Sequence, residues 1–318
     1  MFLLVYDSFL APRSDAGAFV AGGPECVLHS GRMRAFLAAL LAVSAAARAD
    51  NSVKDPGAPW PAWVDLPRAT AMGGAHIAVS TGNDALTDNP AGISQQRRYH
   101  LELDGLLDSH FPAQALMVSV VDTVSSAIGT GLLFSRWGSG QPDGRGEGWY
   151  GALAYSTVVG AGYYVGGATK YYRFATPDGL VRQFAEDTGF LVRKGNFAYG
   201  AVVQNISTSV IPAFPVTAGA GIAWGTDRNW HVAFDYKADL SDTSNVKHRG
   251  AGGVELLVGD SIALRGGATW DATNGLWWVS GGIGFLTEKG GAQFVFRRRL
   301  SGDGFDQFLM AGITIYLE

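Results

Sequence analysis

Hydrophobic and polar residues alternate along most of the chain after Tyr99, with the period of two that is typical of a β-strand. One such segment, 228–238, sets one face against the other: Trp230, Val232, Phe234 and Tyr236 against His231, Ala233, Asp235 and Lys237. The pattern predicts about fourteen strands, near 99–109, 113–122, 126–137, 147–157, 161–174, 186–194, 196–206, 215–225, 228–238, 247–258, 261–271, 276–285, 291–299 and 304–317.

The links between these strands alternate between tight and long. Tight links are predicted at 122–125, 158–160, 195, 226–227, 259–260 and 287–290, and longer ones at 138–146, 175–185, 207–214 and 239–246. Outer-membrane barrels have short periplasmic turns and longer outward loops, and an even number of strands returns both ends to the periplasm. The sequence therefore predicts an all-β fold, a transmembrane antiparallel β-barrel of about fourteen strands.

The alternative is a soluble barrel or sandwich, whose strands also alternate but whose apolar face forms the core. Low charge argues against it, because charged residues make up 16% of the chain against roughly 25% in soluble domains. In the membrane interpretation the charged face lines the lumen, where its members pair or meet water: Glu102, Asp104, Asp235, Lys237, Arg249, Glu255, Arg265 and Asp271. Tryptophans near predicted strand ends then form interfacial girdles: Trp137, Trp149, Trp224, Trp230, Trp270 and Trp277.

Composition excludes other classes. The formal net charge of −4 lacks the basic footprint of a nucleic-acid-binding protein. No run of 18 apolar residues is present, so the sequence predicts no transmembrane helix. Glycine is abundant, with 44 in 318 residues, about twice the usual share of roughly 7%.

The N-terminal part predicts a secreted protein. Residues 33–49 carry a positive start, an apolar core and an Ala47-Arg48-Ala49 cleavage site, as in a signal peptide. Residues 1–32 are then interpreted as a start called too far upstream, and Cys26, the one cysteine, lies in that piece. The predicted domains are therefore a signal peptide at 33–49, a periplasmic hatch or plug at 50–98 and the barrel at 99–318.

Three short motifs precede the first strand. They are Ala71-Met72-Gly73-Gly74-Ala75, Asn83-Asp84-Ala85-Leu86 and Asn89-Pro90-Ala91-Gly92. In this order and spacing they resemble the N-terminal hatch of FadL-type outer-membrane proteins, the superfamily of long-chain fatty acid transporters and PorV/PorQ proteins. Segments 187–192 and 200–206, with Pro215 after them, resemble strands of the same family, so the likeness spans most of 68–317.

Small residues and turn signals make the hatch physically plausible. Asn83 or Asp84 is expected to cap a short helix through Leu86, Asn89-Pro90 to end that helix, and Gly92 to release the chain into the first strand. Gly73 and Gly74 are expected to let the hatch lie against the wall.

Motifs for catalysis are missing from the sequence. There is no zinc-type cluster, nucleophile elbow or phosphate loop, and His231 and Asp235 lie about 13 Å apart along a strand at roughly 3.3 Å per residue. We therefore expect no enzyme, no metal site and no cofactor.

Two functions remain open. In the first, the resemblance implies an outer-membrane protein that binds or passes a hydrophobic molecule such as a fatty acid, between hatch and wall. Candidate ligand residues are Met72, Ile77, Phe308 and Met310. In the second, the barrel is a non-transporting secretion or assembly partner of PorV/PorQ type, which docks proteins through its outer loops. Short loops and a charged lumen favour the second, and outer-membrane lipid is an expected partner in both.

Overall fold

The computed structural model describes residues 65–108, 114–138, 147–176, 179–207, 214–272, 275–301 and 307–317. The predicted upstream piece 1–32, the signal peptide 33–49 and the first part of the hatch, 50–64, lie outside the described residues. Within the described ranges, no helix is long and apolar enough to cross a membrane.

Fourteen antiparallel strands close into a barrel in chain order, and β14 pairs back to β1. The strands are β1 (Tyr99–Asp108), β2 (Gln114–Asp122), β3 (Ile128–Gly138), β4 (Gly148–Gly160), β5 (Tyr163–Thr176), β6 (Gly179–Lys194), β7 (Phe197–Ile206), β8 (Thr217–Thr226), β9 (Trp230–Asp239), β10 (Lys247–Val258), β11 (Ile262–Asp271), β12 (Leu276–Thr287), β13 (Gly290–Arg299) and β14 (Gln307–Leu317). Closure satisfies the backbone hydrogen bonds of every strand, as a lipid environment demands. The predicted transmembrane antiparallel barrel is confirmed.

The two faces of the wall have opposite character, as the alternation predicts. On β9, Phe234 is 60% exposed on the outside, whereas Asp235 is 6% exposed on the inside. Leu103 and Glu102 of β1 divide in the same way, at 48% and 4%. The outside is thus an apolar band and the inside is polar or small, the arrangement of a barrel in a bilayer.

Loop lengths distinguish the two mouths. At the mouth where β1 begins and β14 ends, the links between the strands are 123–127, 161–162, 195–196, 227–229, 259–261 and 288–289. We call it the periplasmic mouth, since short turns mark that side. In the link 259–261, Gly259 and Asp260 have φ of 59° and 57°, the two left-handed residues of a type I′ turn. The other, outer mouth has the links 109–113, 139–147, 177–178, 207–216, 240–246, 272–275 and 300–306.

One predicted outer loop is wrong. The segment 175–185 belongs largely to strands, because β5 and β6 pair from Tyr163↔Val192 up to Thr176↔Gly179. The alternation continues through 180–185, with Phe184 exposed and Ala185 buried. The sequence Pro177-Asp178-Gly179 is typical of a tight turn, but its polarity led to the prediction of a long loop.

The tryptophan girdle is confirmed in part. Trp224 and Trp230 pack edge to face, with ring centroids 4.9 Å apart, outside the periplasmic mouth. Trp270 and Trp277 stack at 6.0 Å outside the outer mouth. Trp137 was wrongly assigned to the girdle: it is 1% exposed and faces the lumen, because its position in β3 has the parity of the inward residues Leu133 and Ser135.

Residues 65–98 form the plug, which contains three short helices: α1 (Pro67–Ala71), the 3₁₀ helix η1 (Gly82–Leu86) and the 3₁₀ helix η2 (Pro90–Gln95). The predicted cap is wrong, because Asn83 and Asp84 lie inside η1, whose N-cap is Thr81. Asn89 instead begins η2, accepting a hydrogen bond from the Ala91 amide. Gly92 is therefore helical, and the first strand starts only at Tyr99.

The assignment of the mouths can be tested by cysteine labelling. In a Cys26→Ser background, Thr243→Cys in the 240–246 link should react with a large polymer-linked maleimide on intact cells. Asn196→Cys, in the 195–196 turn, should react only after the outer membrane is permeabilised. Both positions are exposed, so accessibility within the fold is matched. Labelling of Asn196→Cys alone on intact cells would reverse the orientation.

Candidate functional site: the plug and the lumen above it

The plug lies inside the barrel and contacts most of the wall. Its residues from Leu66 to Ser80 are all buried. Helix α1 contacts β11 to β14, η1 contacts β1 to β4, and η2 contacts β3 to β6. The plug touches the wall on its periplasmic side, for example at Gly129 in β3 and Gly189 in β6. It therefore obstructs the periplasmic half of the lumen.

Glycines of the wall admit the plug backbone. A Cβ on Gly267 of β11 would overlap the backbone of Met72, and one on Gly166 of β5 would lie 2.6 Å from backbone atoms of Pro90 and Ala91. Real Cβ atoms do not approach other atoms so closely, so these wall positions require glycine. Part of the high glycine content is thus explained by contact between plug and wall.

A buried ion cluster holds α1 to the wall. The Arg68 guanidinium donates two hydrogen bonds of 2.9 Å to the Glu255 carboxylate of β10, a bidentate pair. Arg265 of β11 donates to the same carboxylate and, at 2.9 Å, to the Gln293 amide oxygen of β13. One acid therefore compensates two arginines, one from the plug and one from the wall.

A second contact joins the wall to the turn after α1. The backbone amides of His76 and Ile77 both donate to one Asp235 carboxylate oxygen, at 2.6 and 2.7 Å. The Lys237 ammonium, also on β9, donates to Asp88 of the plug at 2.9 Å. Two neighbouring inward residues of one strand thus fix two separate parts of the plug.

Asn89 organises the turn into η2. Its amide nitrogen donates to the carbonyl oxygens of Ile77, at 3.0 Å, and of Phe190 in β6, at 3.1 Å. Its carbonyl oxygen accepts from Ala91, and Ser156 of β4 donates to the Ala91 carbonyl at 2.9 Å. The hatch motif Asn89-Pro90-Ala91-Gly92 is therefore a junction between the plug and the wall.

Above the plug, the outer half of the lumen contains aromatic rings. Phe214, at the end of the 207–216 link, stacks on Tyr172 with ring centroids 3.8 Å apart. It also contacts Phe174 at 5.2 Å and Tyr150 at 5.7 Å. These rings belong to an apolar cluster that includes Trp137, Phe308 and Met310 of the wall and Leu66, Leu86 and Ile93 of the plug. We call these buried residues the upper cluster.

The four candidate ligand residues are not brought together. Met72 packs in a separate apolar cluster with Ala75, Ala78 and Val79, and Ile77 lies against Gly200, Gly219 and Gly221 of the wall. Phe308 and Met310 lie in the upper cluster. Sequence reasoning missed the residues that surround Phe214, although Tyr150, Tyr172 and Phe174 have the inward parity of their strands.

A cavity of about 1020 Å³ lies away from the rings around Phe214, against β1, β2 and β12 to β14. Most of its lining residues have the outward parity of β1, β2, β12, β13 and β14, among them Gly105, Leu116, Phe294, Leu309 and Ala311. Gly105 and Ala311 face each other in the β1–β14 pair, and their small side chains leave a groove between larger neighbours. This cavity is therefore a depression in the lipid-facing surface, where Met310 is the one candidate ligand residue among its lining residues.

The ion cluster around Glu255 is expected to keep the plug in place. Glu255→Gln removes the charge that compensates Arg68 and Arg265, and loss of one partner of a buried ion pair costs about 3–5 kcal/mol. We expect higher conductance in planar bilayers, from a barrel whose lipid-facing band and heat-modifiable migration on gels are unchanged. Glu288→Gln, in an exposed turn, is the charge-matched control. A variant lacking 68–93 gives the conductance without the plug, and wild-type conductance from that deletion would contradict the plug assignment.

The ion pair between Asp88 and Lys237 predicts a dependence on pH. Burial alone raises the pKa of the Asp88 carboxyl, but the Lys237 ammonium and His76 lower it more, so the pKa lies below its ordinary value. Because the pKa of Asp88 is lower in the folded than in the unfolded protein, its carboxylate stabilises the fold above the unfolded pKa of about 3.9. This stabilisation is lost as the pH falls further.

Conductance should therefore stay low from neutral pH to about pH 4 and rise below it. Asp88→Asn should conduct at neutral pH and lose the acid-dependent rise, whereas Asp242→Asn in the outer 240–246 link should behave as wild type. An Asp88→Asn protein with the wild-type acid response would refute this role of the pair.

Among the comparisons with known proteins, only the one with solved structures finds matches. No protein-family model matches the chain, and no curated protein matches it. A Pseudomonas aeruginosa FadL homologue superposes with a TM-score of 0.63 at 9% identity, over 79% of this chain and 98% of that chain. The CymD monoaromatic hydrocarbon channel gives 0.60 at 12% identity, over 81% and 98%. The Ralstonia pickettii toluene transporter TbuX gives 0.60 at 13% identity, over 79% and 97%.

Identities this low establish the fold. Of these three proteins, one is described as a channel, one as a transporter and one as a FadL homologue. The apolar exterior and the closed barrel place the protein in the bacterial outer membrane. The described part of this chain therefore has the fold of the FadL-type outer-membrane barrels, with an N-terminal plug inside the lumen.

Proposed function

We propose that this barrel passes small hydrophobic molecules across the outer membrane, and that they bind first in the upper cluster. The observation that carries the proposal is the set of rings around Phe214, which lies in the outer half of the lumen and directly above the plug. These rings offer a hydrophobic molecule an apolar surface on the route from the outer mouth to the plug.

The rings favour flat apolar ligands. Aromatic pairs gain about 0.5–1.5 kcal/mol beyond the burial of their area, so an aromatic hydrocarbon could take the place of one ring contact of Phe214. Polar groups at the edge of the cluster are already paired, since the Tyr172 hydroxyl donates to Asn205. The CymD and TbuX proteins, which share the fold, are described as carrying monoaromatic hydrocarbons and toluene. Fatty acids remain within the proposed class of hydrophobic ligands.

Passage toward the periplasm requires the plug to move. The apolar cluster that contains these rings extends to Leu66, Leu86 and Ile93 of the plug, so apolar contacts run from the rings to the plug. The ion pairs of Arg68 and Asp88 join the plug to β10 and β9. We propose that the ligand displaces apolar plug contacts first, while the ion pairs keep the segment attached to the wall.

The second expected role, as a PorV/PorQ-type secretion or assembly partner, gains no support from the structural neighbours. Its predicted basis was short loops and a charged lumen unsuited to apolar cargo. Among the described lumen charges, Arg68, Glu255, Asp88 and Lys237 hold the plug to the wall. The rings around Phe214 add an apolar surface to the outer half of the lumen, where charged residues such as Lys170 and Arg297 are also buried. The role stays a prediction without a specific observation in its favour.

Uptake of a hydrophobic dye tests the proposal. Cells that produce the protein should take up N-phenylnaphthylamine faster than cells with an empty vector. Ala152→Trp places a large ring inside the lumen beside the upper cluster and should return uptake to the empty-vector rate. Leu153→Trp is the matched control, because Leu153 is 52% exposed on the outer face and Ala152 is 5% exposed on the inner face.

Overpacking a core costs about 1–3 kcal/mol, so heat-modifiable migration must show that both variants fold. Ala115→Trp, at another inward position of the upper cluster, provides a second block from a different strand. Uptake that is equal with and without the protein, or equal in Ala152→Trp and Leu153→Trp, would refute passage through the lumen.

A further inference from the structure

Three arginines form a row on the outside of the barrel. Arg136 of β3 pairs across the strands with Trp149 of β4, Trp149 with Arg173 of β5, and Arg173 with Arg182 of β6. All four have the parity of the outward face, opposite to the buried Trp137, Tyr150, Tyr172 and Gln183. We call Arg136, Arg173 and Arg182 the arginine row.

Aromatic side chains lie next to this row, toward the bilayer centre. Ring centroids are 5.9 Å apart between Phe134 and Trp149, 5.5 Å between Trp149 and Tyr171, and 4.8 Å between Tyr171 and Phe184. The ladder crosses the same four strands as the arginines. Aromatic girdles mark the boundary between hydrocarbon and headgroups, so the arginine row lies at the headgroup level of the outer leaflet.

Charge in this patch is not compensated within the described protein. Arg136 and Arg182 are exposed and Arg173 is half-exposed, and no ion pair joins any of them to another described residue. Two described acids lie on this outer face, and neither forms an ion pair with an arginine of the row. Glu147 lines the same surface depression as Arg136, and Glu186, two residues beyond Phe184, accepts a hydrogen bond from Thr169 at 2.9 Å. Like charges on directly opposed positions, such as Arg173 and Arg182, destabilise a sheet. The patch therefore calls for an external anion.

We propose that the arginine row binds the phosphate of an anionic lipid in the outer leaflet, whose acyl chains lie along the aromatic ladder. Guanidinium groups recognise phosphate with paired hydrogen bonds, and the ladder offers an apolar surface beside them. A second copy of the barrel does not suit the patch, because a symmetric contact would bring the two arginine rows together. A lipid supplies both the anion and the apolar chain that the surface matches.

This lipid site is independent of passage through the lumen, since every residue in it faces outward. Its test uses the folded protein in nanodiscs of phosphatidylcholine, with and without lipid A as the phosphorylated probe. Native mass spectrometry counts the lipid A molecules that remain bound. The triple variant Arg136→Gln, Arg173→Gln and Arg182→Gln should retain lipid A at least about tenfold more weakly, as expected for the loss of charge-assisted hydrogen bonds.

The control variant removes the same charge elsewhere. Lys194→Gln, Arg228→Gln and Lys289→Gln change three exposed cations at the periplasmic mouth, and this variant should retain lipid A as the wild type does. Dephosphorylated lipid A should bind wild type and triple variant equally weakly. Inorganic phosphate at moderate concentration should not displace lipid A, and full displacement would assign the site to free phosphate instead.

Equal retention of lipid A by the wild type and the arginine triple variant would overturn the proposal. An equal loss in the control variant would also overturn it, because net charge rather than this patch would then account for binding. Dye uptake by the lumen should be the same in all three proteins.

Discussion

The structure depends on burying a plug with irregular backbone inside a narrow lumen. Buried amides and charges are costly without partners, and the wall supplies those partners at fixed positions of its strands. Asp235 accepts hydrogen bonds from two adjacent plug amides, and Glu255 compensates the charge of Arg68. Gln204 of β7 donates to the carbonyl oxygens of Thr87 and Asp88. Glycine in the wall permits the close approach that these bonds require, as at Gly267. Wall and plug are therefore one folding unit, and neither has a satisfied polar inventory without the other.

The same constraint divides the lumen into two levels. Near the periplasmic mouth, inward positions of the strands carry charge, amide or glycine because the plug lies there. Nearer the outer mouth, rings line one side of the lumen, where Phe214 folds in from a connecting segment to pack on Tyr172. Charged residues such as Lys170, Asp271 and Arg297 are also buried there. The outside of the wall is uniform in its apolar band yet differs around the rim, with tryptophans on β11 and β12 and arginines on β3, β5 and β6. Different functions thus belong to different residues inside the barrel and to different positions around its outside.

Sequence alone predicts the barrel well because the period of two is a local signal, repeated in each strand. This signal correctly predicted which residues of β1, β9, β10 and β11 point outward and which point inward, and it located the start of the first strand at Tyr99. It failed where the answer depends on distant residues. Arg68 and Glu255 are separated by 187 positions, and nothing local marks them as partners. The role of Phe214 was hidden because it belongs to a predicted link, and the β5–β6 hairpin was misjudged because polarity outweighed the turn signal Pro177-Asp178-Gly179. The hatch motif was recognisable as a segment, but the partners of Asn89 in β6 and of Met72 in β10 and β11 were not.

A charged lumen first argued against an apolar cargo, and the structure removes that objection. Lys237, Glu255 and Arg265 are bound to the plug or to each other, so these charges serve the closure rather than the route. The cluster around Phe214 presents apolar surface and continues to Leu66, Leu86 and Ile93 of the plug. Charge therefore decides whether the plug stays attached, whereas apolar contact decides what binds above it. Because the two properties belong to different residues, one barrel can hold its plug by ion pairs and still receive a hydrophobic molecule.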